Sequence, residues 1–433
     1  MNEIIKIIFI FTVFLIFVSS PLNIFNKINK EIKVNYLNYN LVINFNILLL
    51  LSVINIPIRN YQLIYILVLI FLFIYSIIIS KINHGDFTKK NILNFAFFYF
   101  SIFILAISIS SNLNLGWDAK YFYYIKSLFF VEGLGLNELG SFQHNKWHPH
   151  FGSYLWAFYW SLPFIEIEYF GRLSYLFIFC FSIYYITKFD SKNNISKLLY
   201  LLLLIVLFKY DRFSGLQEVL IFSFLIISSK ILYELNFKKN LMDLVILILI
   251  ANLLIWIKAE GIVFGLIIGL ITLFNKKIFF REKVIIFLSF VFIIVIKNYI
   301  YFYYGFETNA QPYNFKELLL FSFENIYYRF EKIIIYLGYY SLKNPIFLFG
   351  IILLFFLNYS KKNKILLKNY NLYFIFNTIF IFSAYLLRDL EIVYSLKTTL
   401  ERIVFTSSGF YVYLIVLFIN KKFEANKKKW KFL

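Results

Sequence analysis

Cysteine is nearly missing from this chain. Cys180 is the single one in 433 residues, and it lies inside an apolar run. One thiol excludes a disulfide within the chain and a cysteine metal centre. Acidic residues are scarce too, 23 Asp and Glu against 43 Lys and Arg, which leaves a net charge of +20. Charged residues of both signs make up only 15% of the chain, whereas 61% is hydrophobic. A water-soluble fold of this length could not bury that much apolar surface. Strand-like alternation of apolar and polar residues is lacking, which removes a closed β-barrel. No internal repeat stands out, so an inverted-repeat transporter gains no support.

What is present is a series of continuous apolar runs near the ~20 residues that cross a hydrocarbon core of roughly 30 Å. They predict an all-α, polytopic helical membrane protein with about 11–14 transmembrane helices. The basicity does not point to nucleic acid. The lysines sit in short loops between the runs, where positive-inside bias places them. The excess of Ile, Phe, Asn, Lys and Tyr also fits an AT-rich coding sequence.

Taking the lysine-rich loops as cytoplasmic gives an alternating path of spans. They are Ile4–Val18, Leu41–Ile56, Tyr61–Ser80, Ile92–Ser111, Phe170–Thr187, Leu198–Phe208 and Leu216–Leu232, followed by Leu241–Ile257, Ile262–Phe274, Val284–Tyr303, Pro345–Leu357, Leu372–Leu387 and Ile403–Ile419. The first is read as a span and not a cleaved signal, because its removal would put the Lys81–Lys90 loop outside. Phe151–Phe164 and Ile326–Tyr340 must not cross if the alternation holds. Both are short and rich in interface-seeking aromatics, so both are expected to lie at the outer surface or dip partly in. The domains expected are a three-span element at 1–90, a catalytic module at 91–420 with an outer loop at 112–165, and a basic cytoplasmic tail at 421–433.

The outer loop Gly116–Tyr154 is the polar exception in an apolar chain. It holds Asp118, Glu132, Glu138 and three of the four histidines, His144, His148 and His150. On the same predicted side fall Asp211, Arg212, Glu218, Lys258, Glu260, Glu307, Arg388, Asp389, Glu391 and Arg402. Most charges at span ends only snorkel. Glu218 and the Lys258/Glu260 pair interrupt hydrophobic runs, and an ionisable residue at such depth points to a functional site.

Each motif has a plain structural reading beside a chemical one. Asp118 can cap a helix beginning at Ala119, or take a proton from an attacking hydroxyl. His144, His148 and His150 can hold a divalent cation with nearby carboxylates; bonding or stacking on a sugar, or loop structure, suits their irregular spacing better. Asp211–Glu218 can be a solvated turn with a buried Glu–Arg pair. Lys258-Ala259-Glu260-Gly261 can be a hairpin whose charges neutralise each other, or a cation for a lipid phosphate oriented by its carboxylate. Arg402 can snorkel, or present its planar fork to a phosphate. Trp117, Tyr121, Tyr123, Tyr124 and Trp147 suit stacking on sugar rings and prenyl chains, although an interface attracts such residues anyway.

In their order these motifs resemble the GT-C superfamily of polyprenyl-phosphate-sugar glycosyltransferases, such as protein O-mannosyltransferases and aminoarabinose transferases. The resemblance covers roughly Ile92 to Ile419. It consists of an Asp after an early outward span (Asp118), His148-Pro149 opening an apolar helix, and an acid at the start of a mid-chain span (Glu218). Lys258-x-Glu260-Gly261 and Thr398-x-x-x-Arg402 complete it. The resemblance implies Asp118 as catalytic base, Arg402 with Lys258 or Arg212 on the donor phosphate, and His148, Glu218, Glu260, Trp117 and Tyr121 at the substrate. It also implies a bacterial plasma membrane, with the site on the periplasmic or extracellular side. The partners implied are a polyprenyl-phosphate-linked sugar, a glycan, lipid or protein acceptor, and membrane lipids, without nucleic acid. Departures are Trp117 and Ala119 where many members pair Asp118 with a second acid, Gly-Leu-Gln-Glu-Val around Glu218, and no large C-terminal soluble domain. The competing reading is a polytopic transporter or lipid flippase, which predicts charges near mid-membrane instead of clustered on one side. A glycan polymerase or ligase would instead favour a large, late, arginine-bearing loop.

Overall fold

The structure is a computed structural model describing residues 3–19, 33–83, 89–141, 148–187, 194–306, 323–359, 364–388 and 391–430. His144, Trp147, Glu307 and Asp389 lie outside the described residues, as do Lys27, Lys30, Lys188, Lys192, Lys361 and Lys362. Every regular element among the described residues is helical. In chain order they begin α1 (Glu3–Ser19), α2 (Lys33–Val53), α3 (Ile58–Asn83) and α4 (Lys89–Ser110). Then come α5 (Tyr124–Val131), α6 (Leu136–Ser141), α7 (Phe151–Trp160), α8 (Tyr169–Thr187) and α9 (Asn194–Leu207). After them follow α10 (Glu218–Leu235), α11 (Leu241–Ile257), α12 (Ala259–Leu273) and α13 (Phe280–Tyr303). The last are α14 (Phe323–Lys343), α15 (Pro345–Asn358), α16 (Lys364–Leu386) and α17 (Glu401–Trp430). Each apolar run read as a span falls on one of these helices.

The polarity of the helices is that of a membrane protein. α3 leaves Leu63, Ile64, Leu67 and Phe71 exposed, while Gln62 is buried. α13 likewise exposes Phe287, Leu288 and Phe292. Apolar faces of this kind are stable against lipid. Inside, polar side chains bind neighbouring helices together: Asn40 donates to the Val18 carbonyl at 3.0 Å and Asn44 to the Phe17 carbonyl at 2.7 Å. Such bonds hold helices together where lipid gives no hydrophobic drive.

Among the described residues, four stretches are long and apolar enough to cross a membrane: Ile58–Tyr75, Tyr169–Thr187, Phe280–Tyr303 and Ile392–Asn420. A fifth arises if the bent pair Asn325–Lys343 and Pro345–Asn358 forms one span. That is fewer than the 11–14 expected, because several runs form helices shorter than the ~20 residues a crossing needs, such as α1 with 17 residues, α9 with 14, α11 with 17 and α12 with 15. Five more apolar helices, among them Leu241–Ile257 and Ala259–Leu273, have 10–17 residues.

The two stretches expected at the interface behave differently. All ten residues of α7 are buried against other parts of the protein, so within Phe151–Phe164 this helix is packed inside the unit and presents no open face of its own. Its sequence, Phe-Gly-Ser-Tyr-Leu-Trp-Ala-Phe-Tyr-Trp, is large and apolar on every face, the signature of a buried helix. It packs on α5 and α8. By contrast α14 exposes Tyr327, Phe330, Ile334 and Ile335 and buries Arg329. It meets α15 at 104°, so if α15 crosses the bilayer, α14 runs close to the membrane plane.

The chain divides into two compact units. The first holds Met1–Leu220, Asn252–Ala259 and Val295–Glu307. Here α1 packs on α2, α3, α4 and α8, so Glu3–Asn83 lies within the same unit as α7 and α8. Helix ends expected on the outer side meet each other in this unit. Lys6 pairs with Glu166 at 3.5 Å, Arg59 with Glu132 at 3.7 Å, and Ser108 with the Tyr210 hydroxyl at 2.6 Å. Tyr304 donates to the Val53 carbonyl at 3.0 Å.

The second unit holds Ile221–Ala251, Glu260–Ile294 and Thr308–Leu433. α15, α16 and α17 pack together there, with the Tyr373 and Phe410 rings stacked at 4.0 Å. Ends expected inside meet in it: Lys239 pairs with Glu282 at 2.5 Å, and Lys368 donates to the Phe274 carbonyl at 2.5 Å. Ends expected outside meet too, with Arg388 donating to Thr399 at 3.1 Å and Tyr340 to the Lys397 carbonyl at 3.3 Å.

Candidate functional site

The polar loop of the sequence becomes a set of bonded turns in the first unit. α4 ends at Ser110, and the chain runs irregularly to Gly116, whose amide donates to the Ser214 carbonyl at 2.9 Å. A Cβ on Gly116 would come within 2.9 Å of the Ser214 hydroxyl oxygen. Helix resumes at Trp117. Asp118 has helical backbone angles and its carboxylate makes no capping bond. The capping role therefore does not describe its half-buried carboxylate. Ala119–Tyr123 is a π-helical turn, closed by the Tyr124 amide on the Ala119 carbonyl. Trp117 is 67% exposed and Tyr121 42%. Their rings lie 5.0 Å apart, an aromatic surface next to Asp118.

Arg172 fixes this turn from below. It is 1% exposed and donates to the carbonyls of Leu113 (3.1 Å), Asn114 (3.5 Å) and Phe213 (3.4 Å). Its charge is met by Glu168 at 2.9 Å. Burial pushes the Glu168 carboxyl up, and Arg172 pulls against that. One guanidinium thus joins the strand entering Asp118 to the short helical turn Tyr210–Phe213. Gly215 closes that turn at φ +89°, where a Cβ would strike Trp156 and Ala119 at 2.7–2.8 Å. Both the positive φ and the close approach demand glycine.

Directly after this turn lies a buried ion pair. Lys258 Nζ sits 2.7 Å from Glu218 Oε1, and each side chain is only 7% exposed. Gln217, with its amide oriented to satisfy both neighbours, accepts from the Ser153 amide at 3.1 Å and donates to the Ile257 carbonyl. So the last carbonyl of α11 and the cation that follows it are both held by 217–218. Arg212 donates to the Leu207 carbonyl.

No family model matches the chain, nor does any curated protein or solved structure.

His148 stacks on the same helical segment. Its ring lies 4.6 Å from that of Phe122 and 6.0 Å from that of Tyr123. Its carbonyl accepts from Lys126 on α5. His150 is fully buried, with Nε2 3.0 Å from the Ser52 hydroxyl and Nδ1 3.4 Å from the Tyr301 hydroxyl. Burial, with the charges of Lys126 and Lys297, drives its pKa down to about 3. This histidine is a neutral, hydrogen-bonded core residue. Among the described residues no group of three His, Cys, Asp or Glu is placed to hold a metal ion.

The first unit thus brings together Trp117, Asp118, Tyr121, His148, Arg212, Glu218 and Lys258. Glu260 and Arg402 belong to the second unit, both half-buried. There Arg402 follows a π-helical turn, Leu396–Leu400. Arg388 bonds Thr399, and its own carbonyl accepts from Arg329 at 2.7 Å. Glu391 caps the helix after it through the Val393 and Tyr394 amides at 2.9 and 2.6 Å, a structural role.

Sequence reasoning passed over Arg172, Lys126 and Lys297. Each lies within an aromatic or apolar run, and that interruption is the signal that singled out Glu218. Lys258 also met a partner the sequence order did not suggest, Glu218 forty residues earlier.

Proposed function

We propose that this chain is a membrane glycosyltransferase of the GT-C kind. It moves a sugar from a polyprenyl-phosphate donor to a lipid-linked glycan, lipid or protein acceptor at the outer face of a bacterial plasma membrane, through a bundle of 11–14 spans. The observation that carries the reading is the bonded cluster in the first unit. There the Asp118 turn is tied by Gly116 to Ser214, and by that turn to the buried Glu218–Lys258 pair, with the Trp117 and Tyr121 rings open beside the carboxylate. A rigid carboxylate next to exposed aromatic faces is what a base acting on a sugar hydroxyl requires.

In this reaction Asp118 takes the proton of the acceptor hydroxyl. The hydroxyl oxygen bonds to the anomeric carbon as the bond from that carbon to the phosphate oxygen breaks. The lipid phosphate leaves as an anion and the anomeric configuration inverts. The leaving group needs cations and no proton. Lys258 is matched by Glu218, so its part is to hold the site's floor, and Arg402 remains the sequence's candidate for the phosphate.

The test is transfer from a radiolabelled polyprenyl-phosphate sugar in membranes holding the protein. Loss of a general base costs on the order of 10²–10⁴ in turnover, so Asp118→Asn should fall by that factor while the protein still folds. An Asp118→Asn protein with full activity refutes the assigned role.

A further inference from the structure

The first unit balances its buried cations with carboxylates. Lys6 has Glu166, Arg172 has Glu168, and Lys258 has Glu218. Two cations break this pattern. Lys126 is 2% exposed and Lys297 5%, and among the described residues no carboxylate pairs with either. They sit around one histidine. Lys126 donates to the carbonyl of His148, two residues before His150. Lys297 lies over the Tyr301 ring at 5.4 Å, and the Tyr301 hydroxyl faces His150 Nδ1. Both ammonium groups act electrostatically on His150. The Trp256 ring stands 5.5 Å from His150 and from Tyr301.

Two buried positive charges that no described carboxylate meets are costly. An anion between them reverses the cost. We propose that Lys126 and Lys297, with the Tyr301 hydroxyl, form a buried binding site for a phosphate group. Two ammonium groups match a phosphate's charge as point cations, and the hydroxyl adds a directed donor. His150 supplies a neutral hydrogen-bonding wall and no third charge. Trp256, whose ring faces both His150 and Tyr301, lies two residues before Lys258 in the chain. The inference rests on the transfer reading only in choosing a lipid phosphate over a free one.

The test uses the full chain in nanodiscs, titrated with inorganic phosphate and separately with a sugar-free polyprenyl phosphate. Binding is read from tryptophan fluorescence and from Tm. At least one of the two should bind and raise Tm, and Lys126→Met and Lys297→Met should each weaken it tenfold or more. A remote change, Lys332→Met, should leave it unchanged. Binding of the lipid alone assigns the site to a lipid phosphate; binding of both assigns it to the phosphate group itself. If neither binds, or if both variants bind like the parent, the site does not exist. Should a Met variant fail to fold, Tyr301→Phe carries the test, and undiminished binding in it overturns the proposal. Binding needs no sugar transfer, so protein that binds phosphate but transfers nothing sinks the transfer reading and leaves this site standing.

Discussion

Removing one member of the Glu218–Lys258 pair exposes how the candidate site is held. At 2.7 Å and an effective dielectric near 20, the attraction is about 6 kcal/mol. Taking both ions out of water costs several kcal/mol each, so the intact pair contributes little net stability. Truncating one partner is different, because the other charge stays buried alone, at a cost of roughly 3–5 kcal/mol. Glu218→Gln and Lys258→Met should therefore each lower Tm by roughly 3–6 °C in detergent. The double variant, which leaves no lone charge, should recover most of that loss, a coupling of at least about 2 kcal/mol. Thermal unfolding followed by tryptophan fluorescence reads all three. If the double variant loses the sum of the single losses, the two side chains do not act as a pair and the argument for a rigid floor fails.

Other consequences are sharper in particular places. Gly215→Ala should cost on the order of 1–3 kcal/mol from its backbone angle alone, with a further penalty from Trp156; an unchanged Tm would mean that the turn is not built as described. Arg172→Gln removes the clamp on Leu113, Asn114 and Phe213, and should depress transfer more than donor binding, as a split between kcat and KM would reveal. Burial drives the Lys126 ammonium down from 10.5 to about 7. Its native form gives up the proton before the unfolded chain does, so stability falls as pH drops from 10.5 towards 7 and is then level in this term. Phosphate-free protein should therefore gain Tm between pH 7 and 9, and Lys126→Met should flatten that slope; an equal slope in both proteins contradicts the buried ammonium.

Much of the architecture was legible because apolar runs interrupted by lysine loops are a one-dimensional signal. Each run became a helix, and ends expected on one side, such as Lys6 with Glu166 and Lys239 with Glu282, do meet. What was not legible is three-dimensional. The burial of α7 depends on α5 and α8 packing on it, and aromatic richness alone carries no sign of those partners. The partner of Lys258 could not be read from its neighbours, because an ion pair across forty residues leaves no local trace. For Asp118 the sequence left a helix cap and a base both open, since Asp before Ala-Lys-Tyr suits a cap; only the backbone geometry shows that it is already inside the helix.

The π turn at Ala119–Tyr123 has a consequence of counting. A π turn holds one residue more than the α ladder needs. Asp118 is therefore aimed relative to Lys126 and α5 by a residue number as well as by the bonds that hold its turn. Deleting any one of residues 119–123 would let the α ladder close, and would swing Asp118 about the helix axis by about 100° relative to everything downstream. The orientation of the proposed base is thus written partly in chain length, where no inspection of side-chain chemistry would find it.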